Sequence, residues 1–146
     1  MIKTILVPVD GSETCQSALA HAIYLANKCN ASIHLLHAVN LNSALALTAG
    51  QTKGYYPFLK ELQDALEEQG KRVLDEAAAK IPPAIHYNLT FEIGVPSQVI
   101  LDCADKYKAD LIIMGSRGLG PIKGLFMGSV SSHVMSQSPR PVLIVK

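Results

Sequence analysis

The chain has 146 residues, 49% hydrophobic and 17% charged, enough for one domain with a proper core and too apolar for a disordered chain. Thirteen basic residues against 12 acidic ones leave a formal charge of +1, which argues against a nucleic-acid partner held by bulk charge. No apolar run nears the ~18 residues of a membrane span, and three widely spaced cysteines without a secretory segment lead us to expect a reducing, cytoplasmic setting.

Ile2 to Val9 is almost continuously apolar, as a central parallel strand covered on both faces should be. Pro8 marks where its regular pairing stops. Asp10-Gly11-Ser12 reads as a turn with Ser12 capping the next helix. In that helix Cys15, Ala18, Leu19, Ala22, Ile23 and Ala26 form an apolar stripe that runs to about Lys28. Ser32 to Val39 is the second strand. Residues 40–57 carry no charge except Lys53 and read as a long loop. A strong helix is expected over 58–81, weakened at Gly70 and ended by Pro82-Pro83. Residues 85–93 alternate apolar and polar, which predicts a strand near an edge of the sheet. A helix over 96–108, a strand over 111–114, a short helix over 129–137 and a last strand over 141–146 complete the chain. His34 and His37 lie three apart on a strand and so point to opposite faces, not to one metal.

Strands alternating with helices imply right-handed crossovers and a parallel sheet, an α/β domain spanning residues 1–146. Ligands of such sheets bind beyond the carboxyl ends of the strands, where the winding reverses. A glycine-rich turn, Met114-Gly-Ser-Arg-Gly118 onward to Gly128-Ser-Val130, joins the fourth strand to the helix after it. Glycines there allow a backbone to approach an anion, and the helix N-terminus supplies free N–H groups. No acidic residue follows Asp110, whereas Arg117, Lys123, Arg140 and Lys146 do. The turn fits neither the dinucleotide fingerprint, whose third glycine falls one place late at Gly124, nor the P-loop, since Pro121 stands where the lysine belongs. No Gly-x-Ser-x-Gly nucleophile elbow occurs, and no residue is placed as a general base.

Gly115, two residues, Gly118, nine residues and then Gly128-Ser129 is a spacing that resembles the ATP-binding members of the universal stress protein family. The resemblance extends through Ile5-Leu-Val-Pro-Val-Asp-Gly-Ser12, Asp110-Leu-Ile-Ile-Met-Gly-Ser-Arg-Gly118 and Pro139-Arg-Pro-Val-Leu-Ile-Val145, in order along the whole chain. It implies a doubly wound five-stranded parallel sheet of order 3-2-1-4-5 with helices on both faces. It also implies a nucleotide site built from Pro8, Val9, Asp10, Val39, Met114, Gly115, Arg117, Gly118, Gly128, Ser129 and Val130. Asp10 would meet the ribose or a metal near the phosphates, and Val39 the adenine edge. Gly115 and Gly118 would serve the ribose and first phosphates, and Gly128, Ser129 and Val130 the outer ones. Arg117 and Lys123 are further phosphate candidates. The implied ligand is ATP with Mg²⁺ or Mn²⁺, and the implied assembly is a homodimer through the edge strand Val142–Val145. A regulatory binder with slow or no hydrolysis is expected. A weak ATPase, an autophosphorylating protein using Ser129, Ser131 or Ser132, and a dimerising scaffold are the competing readings. AMP, ADP or a cyclic nucleotide in place of ATP stays open.

Overall fold

A computed structural model describes residues 1–48, 56–118 and 127–146. The elements are β1 (Thr4–Pro8), α1 (Glu13–Cys29), β2 (Ser32–Val39), α2 (Leu41–Thr48), α3 (Tyr56–Ala78), β3 (Tyr87–Ile93), α4 (Pro96–Lys106), β4 (Leu111–Gly115), α5 (Ser129–Gln137) and β5 (Val142–Val145). The five strands form one parallel sheet in the order β3-β2-β1-β4-β5. The pleat divides the core in two. Ile5, Val7, Ile33, Leu35, Leu111 and Ile113 face α1 and α3, whereas Leu6, Leu36, Ile112 and Met114 face α4 and α5. Strands buried on both sides need apolar residues at every position, which is why β1 and β4 read as unbroken apolar runs.

Local signals set the ends of the elements. Ser12 caps α1, its Oγ accepting the N–H of Cys15 at 3.3 Å. Asn30 closes α1 in a left-handed conformation, φ 54°. The turn into α1 places Gly11 at φ 83°, where a side chain would be strained. The alternating strand β3 lies at an edge, as expected, with Tyr87, Leu89 and Ile93 partly exposed.

Two expectations are corrected. The 40–57 stretch is not loop throughout, because residues 41–48 form α2. Asn40 starts it, its Oδ1 accepting the N–H of Asn42 at 3.0 Å, and Leu41, Ala44 and Leu45 are half-buried at helical spacing. The following helix begins at Tyr56, so Pro57 falls in its first turn, where no donor is lost. It ends at Ala78 rather than at 81. The chain then tightens, with the N–H of Lys80 on the Ala77 carbonyl and that of Ile81 on the Ala78 carbonyl, both three residues back. Gly70 is a close-packing position more than a weak one. A Cβ there would stand 2.4 Å from the Phe91 ring and 2.9 Å from His37.

The two strand histidines face opposite sides. His34 lies under α4, stacked on Tyr107 at 3.9 Å between ring centroids, with Nε2 2.7 Å from Thr90 Oγ1. Burial, with Lys106 nearby, holds its pKa below the ordinary 6.5. The unfolded chain therefore takes up this proton first, so the stabilisation is whole above about pH 6.5 and is lost as pH falls toward the folded value. Thermal unfolding between pH 7.5 and pH 5 should show a falling melting temperature, and His34→Phe should reduce that fall.

Candidate functional site

β1 and β4 are neighbours, with Ile5 opposite Leu111 and Leu6 opposite Ile112. The windings leave the sheet in opposite directions from this pair, and a cleft of about 550 Å³ opens beyond the carboxyl ends. Because α1, α4 and α5 each follow one parallel strand and return the chain to the start of the next, their N-termini all open on it through Ser12, Pro96 and Gly128. Ten of the eleven residues named from sequence line it: Pro8, Val9, Asp10, Met114, Gly115, Arg117, Gly118, Gly128, Ser129 and Val130.

Val39 is not among the lining residues; Ala38 is. The pleat decides this. Ala38 shares its face with Leu36, toward α4, whereas Val39 turns the other way and its carbonyl accepts the N–H of Gly94 on the β3 side at 2.9 Å. Leu36 O receives the N–H of Val9 at 2.8 Å, so two residues on, the polar groups of Ala38 also face β1. β1 has ended by then, and those groups face the cleft. Sequence reading also missed Leu36, Pro96 and Ile100, which make the apolar wall with Ala38 and Met114. Period-two counting from Leu36 picks out Ala38, but Pro96 and Ile100 arrive only by tertiary packing.

The opposite end of the cleft is polar. Asp10 Oδ1 accepts the N–H of Ser12 at 2.9 Å, so an Asx turn aims this carboxylate, and its Oδ2 lies 2.8 Å from where a Gly118 Cβ would be. Gly128 is the N-cap of α5 and has no side chain to bond its first N–H groups. The first helical bond runs from Ser132 N–H to the Gly128 carbonyl at 3.0 Å, so the donors of Ser129, Val130 and Ser131 precede the helical ladder. They are suited to an anion, as is the positive end of the dipole. Ser129 is thus the first helical residue, not the cap.

The frame of this end is tied down. Gly128 N–H donates to the Ser116 carbonyl at 2.7 Å, the Ser131 hydroxyl reaches the same oxygen at 2.9 Å, and Ser116 N–H donates to the Val145 carbonyl at 2.8 Å. The Thr14 hydroxyl donates to the Arg117 carbonyl, joining the first turn of α1 to the glycine turn. Arg117 itself is exposed at the rim. Cys15 forms part of the wall, and burial pushes its thiol pKa up, so it stays protonated and inert. Lys123 and residues 119–126 of the turn lie outside the described residues.

Comparison with known proteins agrees on one family. The profile of the Universal stress protein family matches residues 1–146. A universal stress protein of Thermus aquaticus is 36% identical over 146 residues, covering the whole of both chains. The solved structure of MJ0577 superposes with a TM-score of 0.86 at 29% identity, covering 100% of this chain and 96% of that one. A protein of that name, the universal stress protein MJ0577 of Methanocaldococcus jannaschii, is 31% identical in sequence over 155 residues, covering 100% of this chain and 96% of its own length. A universal stress protein solved in complex with cAMP superposes at 0.65, with 27% identity and 99% and 96% coverage.

The glycines at the site differ in what they spare. A Cβ on Gly115 would sit 2.5 Å from Thr14 Oγ1 and 2.9 Å from the Cys15 nitrogen, so Gly115 lets α1 close on β4. A Cβ on Gly128 would meet nothing nearer than 3.5 Å. Chemical denaturation should therefore show Gly115→Ala losing roughly 1–3 kcal/mol by overpacking, and Gly128→Ala staying within about 0.5 kcal/mol of wild type.

Proposed function

The chain belongs to the universal stress protein family, and on that footing we propose that its cleft binds an adenine nucleotide, ATP with Mg²⁺ or Mn²⁺. The observation that carries the reading is the convergence of an apolar wall, one carboxylate and an uncapped helix N-terminus on one cleft at the β1–β4 boundary. A base packs among Leu36, Ala38, Pro96 and Ile100, with the backbone of Ala38, rather than that of Val39, reading its edge. The ribose lies near Asp10 and Gly115, and the phosphates run past Gly118 to the N–H groups of Ser129 and Val130. The volume is in the range of small-ligand sites. The complex of a related protein with cAMP supports the adenine nucleotide class.

A hard divalent cation takes oxygen ligands, which the phosphates supply and to which the Asp10 carboxylate is suited. Asp10 is the one carboxylate among the described lining residues, and one of its oxygens already holds Ser12 N–H. Ser131 is committed to the Ser116 carbonyl. These engagements favour a regulatory binder with slow or no hydrolysis over a turning-over ATPase. The three free cysteines favour a reducing, cytoplasmic compartment. The apolar edge strand β5 favours a homodimer paired along Val142–Val145.

Isothermal titration with ATP and Mg²⁺ should give saturable heat, and none at millimolar ATP overturns the reading. Gly128→Val should fold yet bind at least about tenfold more weakly, a loss of roughly 1.4 kcal/mol, because its side chain occupies the place of the phosphates. Sedimentation velocity should show a dimer at micromolar protein; a monomer at all concentrations removes the β5 assembly.

A further inference from the structure

The buried His37 belongs to no part of the cleft wall, yet its imidazole makes a hydrogen bond that decides how the end of β1 is presented. β1 and β2 are in register, with Pro8 opposite Leu36, and the ladder carries on one step as Val9 N–H donates to the Leu36 carbonyl at 2.8 Å. In a regular parallel ladder the Val9 carbonyl would next accept the N–H of Ala38. The bond made to that oxygen comes instead from His37 Nδ1, at 2.6 Å. A carbonyl can only accept, so the ring nitrogen carries the proton.

His37 stands on the α3 face of the sheet, where it packs on Phe91, with ring centroids 6.0 Å apart, and against Gly70. The Val9 carbonyl is therefore drawn toward α3. In a planar trans peptide the following N–H points the opposite way. The N–H of Asp10 is thus turned toward the α4 face, where the cleft lies, and the N–H of Ala38 is spared from the ladder.

We propose that His37 is a positioning residue of the nucleotide site: by replacing Ala38 as the donor to Val9, it turns the Val9–Asp10 peptide so that two main-chain donors, those of Asp10 and Ala38, face the ligand. The proposal rests on the nucleotide reading for its ligand but not for its geometry. It also gives the tight approach at Gly70 a reason, since a side chain there would push the imidazole off the Val9 carbonyl.

Two variants separate this role from packing. His37→Leu fills the space without a donor, and His37→Asn restores an N–H near the Nδ1 position. The first measurement uses ligand-free protein. In His37→Leu the ladder bond from Ala38 to Val9 forms, so amide hydrogen exchange at Ala38 slows at least about tenfold relative to wild type, whereas mere loosening would speed it. The second is titration with ATP and Mg²⁺, in which His37→Leu binds at least about tenfold more weakly and His37→Asn within about threefold of wild type. Unchanged or faster Ala38 exchange in His37→Leu, or equal affinity of wild type and His37→Leu, overturns the proposal. If wild type itself takes no ATP, the nucleotide reading fails, while the exchange measurement still decides which donor holds Val9.

Discussion

The short ladder between β1 and β4 is the constraint on which the site depends. These strands lie more than a hundred residues apart in the chain, and their pairing covers two residue pairs. Other contacts hold them together on either side. Below, the Asp110 carboxylate accepts the N–H groups of Lys3 and Thr4, and Asp110 N–H returns a bond to the Thr4 carbonyl. Those two donors hold the Asp110 pKa below the usual carboxylate range. Above, Thr14 ties the first turn of α1 to the carbonyl of Arg117. Because the crossovers leave this pair to opposite faces, the loops diverge and a cleft opens where any other neighbouring pair would have a covered end.

Electrostatic character follows from the same arrangement. Three helices begin at the cleft, but they are finished differently. α1 has one first-turn donor, the N–H of Cys15, engaged by the Ser12 hydroxyl, whereas α4 starts at Val95-Pro96 and α5 at Gly128, neither with a side-chain cap. Pro96 takes one donor away from the first turn of α4, whereas Gly128 leaves those of Ser129, Val130 and Ser131 all without a side-chain acceptor, so α5 offers the larger set. Asp10 places a single carboxylate opposite them. An anionic tail at one end, an apolar ring at the other and a hydrogen-bond donor between them, facing the Asp10 carboxylate, form the kind of ligand this gradient matches.

The two buried histidines show how one strand serves both faces. His34 is satisfied by Thr90 and stacked on Tyr107, a polar group accommodated within the α4 layer. His37, three residues on and on the opposite face, bonds to main chain at the mouth of the cleft. Packing under α3 is close at this point because Gly70 has no side chain to hold the helix away. The helix on one side of the sheet is thereby in contact, through an imidazole, with the peptide that begins the site on the other.

Much was legible from the sequence alone. The apolar runs of β1 and β4, the stripe of α1, the alternation of β3 and the spacing of Gly115, Gly118 and Gly128 are local patterns. They follow from burial, pleat and close backbone approach, which act over a few residues. α2 was missed because an uncharged stretch masked the weak period of Leu41, Ala44 and Leu45, and Asn40 can begin a turn as readily as a helix. Tertiary structure alone decided which residue at the end of β2 faces the cleft. Ala38 and Val39 are both small and apolar, and the choice lies in the register with β1 and the point where that strand stops. It also decided that Pro96 and Ile100 close the apolar wall and that His37 reaches the Val9 carbonyl. The bond from His37 to Val9 joins residues 28 apart in the chain, and composition or periodicity within one segment carries no information about which distant segment it will meet.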